Sequence, residues 1–199
     1  LVMCDYYSRW IEVLALSSTT TSAVIPRIRD IFSRFGIPQQ IISDNGPQFA
    51  STEFRLFASK YGFNHVTSSP YLPNSNGEAE RAVQTAKQML SQKDPWLALM
   101  IYRDTPIAAT GASPSQLMIG RHIRTTLPVP SSTLEPSWAD RETILARDER
   151  YKDRVSIHYD QKHGTKPLEK LHPGDPVLIK LDGQKGWREK GIVEGEADT

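Results

Sequence analysis

Between residues 1 and 102 the hydrophobic pattern switches repeatedly between a period of two and a period of 3.6, and this alternation constrains the fold more than any other feature. Leu1 to Tyr6 and Ile11 to Leu16 are short strand-like runs joined through Ser8-Arg9, the pattern of a tight antiparallel pair. From Thr20 to Phe35 the apolar residues Val24, Ile28, Ile31 and Phe35 follow helical spacing, and Gly36 with Pro38 ends the run. Pro26 suits a first helical turn, which leaves the start of that helix between Thr20 and Ile25. Gln40 to Ser43 reads as a strand, Ser51 to Tyr61 as a helix packing through Phe54, Phe57 and Ala58, and Asn64 to Thr67 as another strand. The turn-rich loop Ser68 to Asn76 leads into a helix over Gly77 to Gln92. Asp94-Pro95 then offers an N-cap and first position for a helix through Tyr102. Strands alternating with helices predict an α/β domain with a mixed sheet flanked by helices.

After Leu127 the composition turns to Pro, Ser and Thr, so residues 129–137 read as a linker between a first domain over 1–128 and the C-terminal third of the chain. Residues 138–164 form a charge-rich helical candidate with six basic and six acidic residues, a connector of no single sign. Within 165–199, Leu171 to Lys180 and Trp187 to Val193 look like two strands of a small β unit, too few to close a barrel.

Composition narrows the chemistry. The single cysteine, Cys4, excludes an internal disulfide and a multi-cysteine zinc site, so any metal must sit on oxygen ligands. No run approaches the roughly 18 apolar residues of a membrane helix, and the start lacks the order of a signal peptide; no membrane role and an intracellular setting are expected. The net charge of +1 averages over unlike segments: residues 81–124 carry six basic residues against two acids. On its own that excess is a solvated helix face; beside carboxylates it suggests a polyanionic substrate.

Two acids stand where chemistry gathers in α/β folds. Asp44 ends a strand and Asn45-Gly46-Pro47 turns the chain at once, outside the carboxyl end of the sheet. Glu80 lies in the first turns of the helix after the loop. Taking Ala79, Val83, Ala86 and Leu90 as that helix's apolar stripe places Glu80, Gln84 and Lys87 on a neighbouring polar flank. Each acid alone reads as ordinary turn or helix-start chemistry. Together, in Ile-Ile-Ser-Asp44-Asn-Gly-Pro-Gln-Phe and Pro-Asn-Ser-Asn-Gly77-Glu-Ala-Glu80-Arg, they leave 35 residues between them.

That pair resembles the second and third members of the Asp-Asp-(35)-Glu triad of retroviral and Ty3/gypsy-type retrotransposon integrases. The similarity continues through Asp5-Tyr-Tyr-Ser-Arg-Trp-Ile-Glu12, Pro70-Tyr71, Tyr102-Arg-Asp-Thr-Pro106, Ser113-Pro114 and Gly120 to Pro128. It covers most of residues 1–128, and residues 171–193 resemble the start of the family's small SH3-like C-terminal barrel. The resemblance implies an RNase H-like core in which Asp44 and Glu80 ligate Mg²⁺ or Mn²⁺ in a two-metal site for in-line phosphoryl transfer on DNA. Carried over by position, Lys87, Gln84, Asn76, Tyr71 and Asn45 would touch DNA. Asn74 and Leu72 depart from the family's usual Gln and aromatic or His in the active-site loop.

The family's first catalytic Asp sits on strand one, whereas the segment beginning at Asp5 matches strand two. The resemblance therefore implies that the ligand precedes Leu1 by about ten residues, and that Asp5 lies two strand spacings, roughly 9.6 Å, from the strand bearing Asp44. It also implies a sheet lacking its first strand, an absent N-terminal zinc domain and a chain cut within its C-terminal barrel. Such a fragment is expected to be inactive alone. The family further implies homo-oligomers acting on element ends and host DNA in the nucleus. Two alternatives share these features: a non-catalytic, integrase-derived DNA-binding module and an RNase H-type nuclease on hybrids.

Overall fold

The computed structural model describes residues 1–67, 77–163, 171–179 and 189–195. Strands β1 (Val2–Cys4) and β2 (Ile11–Val13) pair antiparallel with Val2 opposite Val13 and Cys4 opposite Ile11. The reversal between them is tight because Asp5 Oδ2 accepts hydrogen bonds from the Ser8 amide at 2.7 Å and the Ser8 hydroxyl at 2.6 Å.

Helix α1 (Thr21–Phe35) buries Val24, Ile25, Ile28, Ile31 and Phe32, and Gly36, at φ 86°, ends it. Pro26 falls inside the helix, one turn beyond the position the sequence pattern favours for it. Strand β3 (Gln40–Ser43) runs into a single turn, α2 (Pro47–Ala50), which the sequence pattern does not signal. Helix α3 (Thr52–Tyr61) starts on the Ser51 hydroxyl, which accepts from the Phe54 amide, and stops at left-handed Gly62. Strand β4 (Asn64–Thr67) returns parallel to β3, in register from Gln40–Asn64 to Ser43–Thr67.

The remaining helices are α4 (Gly77–Leu90), α5 (Pro95–Asp104), α6 (Pro114–Ile119) and α7 (Arg141–His163), with a 3-10 turn over Ser131–Leu134. Asp94 caps α5 as its sequence indicates, while α6 carries a full capping box between Ser113 and Gln116.

Strands of both orientations are present, but among the described residues they do not form one mixed sheet. β1 with β2 and β3 with β4 are separate pairs, with no ladder joining β1 to β3. What unites them is apolar packing: Leu1, Met3 and Ile41 lie against the cluster of Val24, Ile28, Phe32, Phe54, Phe57 and Phe63. A second cluster holds α4 to the hairpin and α5 through Ile11, Ala82, Ala86, Met89 and Leu99.

The first compact unit extends from Leu1 to Lys152. It therefore runs past the 129–137 linker and into α7, because the first turns of that helix are docked. Ile144 is buried with Ala112 and Leu117, and the Ser137 amide donates to the Gly120 carbonyl at 2.7 Å. Gly111 stands at φ 71°, a left-handed conformation that favours glycine, with the movable Arg147 guanidinium beside it.

The second unit, Asp153–Thr199, contains an antiparallel pair, β5 (Pro176–Ile179) with β6 (Glu189–Ile192). The Val193 amide donates to the Asp175 carbonyl and the Gly174 amide to Val193, closing one end of the pair.

Candidate active site

Asp44 follows β3 directly and is exposed. Its Oδ1 accepts from the Gly46 amide at 3.0 Å, an Asx turn that reverses the chain into α2. A Cβ at Gly46 would stand 2.9 Å from that same Oδ1, so a side chain there would displace the carboxylate. Behind the turn, the buried Ser43 hydroxyl is 2.9 Å from His65 Nε2 on β4 and 2.8 Å from the Asp44 carbonyl. Burial holds the His65 imidazole below its usual pKa, which favours the neutral ring. Thr21 donates to the Gln48 carbonyl at 3.0 Å and ties the start of α1 to the segment after Asp44. Asn45 is exposed within the turn.

On α4 the buried face is Ala82, Ala86 and Met89, packed on Ile11, Leu99 and the partly buried Val2, Cys4 and Val13. The stripe expected from sequence is thus rotated: Ala86 belongs to it, Ala79 and Val83 lie at its margin, and Leu90 is exposed. Small alanines allow the helix to approach the hairpin closely, which outweighs the larger apolar area of Leu90 and Val83. Glu80, Gln84 and Lys87 are all exposed and, at i, i+4 and i+7, share one flank. Tyr71 and Asn76 lie outside the described residues.

Among the described residues no three His, Cys, Asp or Glu side chains gather closely enough to hold a metal ion. Asp5 is committed to its own hairpin through Ser8. Burial pushes the Cys4 thiol up to about 12, so it is no thiolate nucleophile at neutral pH.

Sequence reasoning assigns no role to Glu78 or Arg9, yet they meet beside this helix. Glu78 lies one helical turn before Ala82, on the inward face, and its Oε2 is 3.6 Å from Arg9 Nε. Arg9 is only 6% exposed and stands at φ 62°, uncommon for a bulky residue. The available sequence signal is a basic residue wedged between a turn serine and a core tryptophan.

Residues 1–73 match the family model described as the integrase core domain. The chain is 34% identical, over 97% of its length, to a Caenorhabditis elegans protein called uncharacterized protein K02A2.6, of which it spans 16%. It is 33% identical over 88% of its length to the Pol polyprotein of feline endogenous virus ECE1 and 35% identical over 97% to the Gag-Pol polyprotein of baboon endogenous virus. It spans 17% and 12% of those two polyproteins, so the chain corresponds to a small part of each curated relative.

In fold it is similar to a chain of the simian T-cell lymphotropic virus intasome solved with a PP2A regulatory subunit. That match has a TM-score of 0.60 and 20% identity over 95% of this chain and 60% of that one. The catalytic core domain of BIV integrase matches at TM-score 0.51 and 24% identity, over 59% of this chain and 83% of that one. Residues 1–73 thus carry a match to the integrase core domain, the chain as a whole is similar to segments of viral Pol and Gag-Pol polyproteins, and the solved integrase structures share its fold.

Proposed function

We propose that this chain is the catalytic core of a retroelement integrase, which joins the 3′ ends of element DNA to host DNA, and that Asp44 and Glu80 are two of its metal ligands. The observation carrying this reading is the pairing of two exposed carboxylates at the family spacing, one held by an Asx turn after β3 and the other beside Gln84 and Lys87 on α4. Hard carboxylate oxygens suit Mg²⁺ or Mn²⁺, which when bound would neutralise phosphate charge and activate the attacking oxygen. The Asx turn keeps Asp44 from swinging back into the helix after it. Gln84 and Lys87 offer a hydrogen-bonding group and a cation to the DNA end on the Glu80 side, with Asn45, Tyr71 and Asn76 as further DNA contacts. The attacking oxygen comes from water in end processing and from the DNA 3′ hydroxyl in joining, so no covalent enzyme intermediate is required.

A third carboxylate completes this site in the reading, and Asp5, bound to Ser8, does not supply it. The forms to assay are this 199-residue chain and a longer polypeptide extended upstream of Leu1. Residues 171–193, of which 180–188 lie outside the described residues, belong by resemblance to the start of an SH3-like barrel, the protein self-associates on DNA, and it acts in the nucleus because its target is chromosomal. The test is end processing and strand transfer by the longer polypeptide in Mn²⁺. Asp44→Asn and Glu80→Gln each abolish both reactions if the reading holds; activity unaffected by Glu80→Gln would sink it. A second reading is a DNA-binding module without chemistry, supported by the excess of six basic residues over two acids in residues 81–124. That reading wins if the longer polypeptide binds DNA with steep salt dependence but never cleaves or joins it.

A further inference from the structure

Arg9 connects three elements that are remote in sequence. Its Nη2 lies 2.7 and 2.9 Å from the two carboxylate oxygens of Asp148 on α7, one nitrogen bridging both oxygens in a charge-assisted contact. Its Nε faces Glu78 in the first turn of α4 at 3.6 Å. Its Nη1 donates to the Tyr6 carbonyl within its own hairpin, and its backbone carbonyl accepts from the Tyr102 hydroxyl on α5 at 2.8 Å. Glu78 also meets Arg81 at 3.4 Å, and Asp148 meets Lys152 at 2.7 Å. Both carboxylates are largely buried, whereas Arg81 and Lys152 are exposed, so Arg9 is the buried cation between two buried anions.

A helix start has four amides without intrahelical partners, and its first turn frays unless something holds it. Within α4 the core anchors are Ala82, Ala86 and Met89, all beyond that turn. Arg9 grips the turn through Glu78, two residues before Glu80. Successive helical residues are about 100° apart, so Glu78 and Glu80 face different ways, and holding one inward fixes the direction of the other.

We propose that Arg9 is a positioning residue: braced by Asp148 on α7, it fixes the first turn of α4 and thereby the direction of Glu80. The role assigned to Glu80 rests on the function proposed above; the mechanical link does not. One consequence is that docking of the connector helix is coupled to order at the candidate site. Breaking the ion pair at either end leaves Arg9 with one buried carboxylate instead of two and loosens its hold on α4.

The test is hydrogen exchange of the intact chain, resolved by residue, with Asp148→Asn, Glu78→Gln and, as a control at an exposed partner, Lys152→Gln. The readout is the exchange of the Arg81, Ala82 and Val83 amides, which donate one turn back to residues 77–79. Asp148→Asn, distant in sequence, is expected to speed these amides about tenfold while leaving those of Val24 to Ile31 in α1 unchanged. Glu78→Gln should match it and Lys152→Gln should have little effect. Unchanged α4 amides in Asp148→Asn would overturn the proposal. So would a uniform rise across α1 and α4, the signature of a merely structural contact.

A parallel Mn²⁺ titration followed by electron paramagnetic resonance separates the two layers. Weaker Mn²⁺ binding in Asp148→Asn, lost altogether in Glu80→Gln, supports the positioning of a metal ligand. Exchange that changes as expected, with Mn²⁺ binding indifferent to Glu80→Gln, preserves the link and overturns the ligand assignment and the positioning role built on it.

Discussion

Phe54→Ala should be among the most damaging single substitutions in the first unit, and it should weaken the platform behind Asp44. Phe54 is fully buried. Its ring lies 5.3 Å from Phe49, 5.8 Å from Phe57, 6.3 Å from Phe63 and 4.7 Å from the His65 imidazole, all in edge-on arrangements. It thus joins α3 to α2, just after the Asp44 turn, and to β4, which hydrogen-bonds Ser43. Truncation loses the transfer free energy of the ring and leaves a cavity walled by rings that cannot all collapse inward, about 3–5 kcal/mol. A domain of this size has only about 5–15 kcal/mol of stability. With a urea dependence of about 2 kcal/mol per molar, the unfolding midpoint should fall by roughly 1.5–2.5 M without a change in slope. The assay is urea denaturation followed by far-ultraviolet circular dichroism and by tryptophan fluorescence, to which buried Trp10 contributes alongside exposed Trp96 and Trp138 in the same unit. Phe54→Leu should cost much less, about 1 kcal/mol. A midpoint shift below about 0.5 M for Phe54→Ala would refute the claim that this cluster is the structural base of the site.

Three other outcomes are expected of the site and its supports. Lys87→Ala should weaken DNA binding nearly independently of sequence and reduce the slope of log affinity against log salt by about 0.9, measured by fluorescence anisotropy over a salt series; an unchanged slope would remove Lys87 from the phosphate contacts. Burial raises the Asp148 pKa, but the hydrogen bonds from Lys152 and Arg9 and their charges outweigh it, so the folded value lies below 3.8. The stabilisation is therefore complete above 3.8 and lost as pH falls through the folded value, and the stabilities of the parent and Asp148→Asn should converge in that acid range. Burial also lowers the His65 pKa below 6.5; stability from this residue is complete above 6.5 and declines as pH falls through the folded value, a decline that His65→Gln should flatten in thermal melts.

Local features were legible in the sequence because their causes are local. The strand before Asp44, the turn after it, the Asp94 cap and the polar flank of Glu80, Gln84 and Lys87 each depend on a few adjacent residues, and the structure places them as their pattern indicates. Short elements such as α2 and α6 escaped because four to six residues carry too little periodicity to register. The α4 stripe was rotated because its burial is set by how closely Ala82 and Ala86 let the helix approach Ile11, a tertiary fact. The Arg9 network was illegible for the same reason: Arg9 and Asp148 are 139 positions apart, and neither residue's neighbours announce the other. Separation of the strands into two pairs likewise depends on ladders, which residue patterns alone do not specify.

The central claim is that Asp44 and Glu80 serve one metal site. Its most direct measurement is the anomalous scattering of Mn²⁺ in crystals of the longer polypeptide with a DNA end bound. The account predicts a peak about 2.0–2.2 Å from a carboxylate oxygen of Asp44 and another, at the same ion or its neighbour, from Glu80, with nothing at Asp5. Mn²⁺ seated on Asp5, or an active complex whose metal touches neither Asp44 nor Glu80, would contradict it.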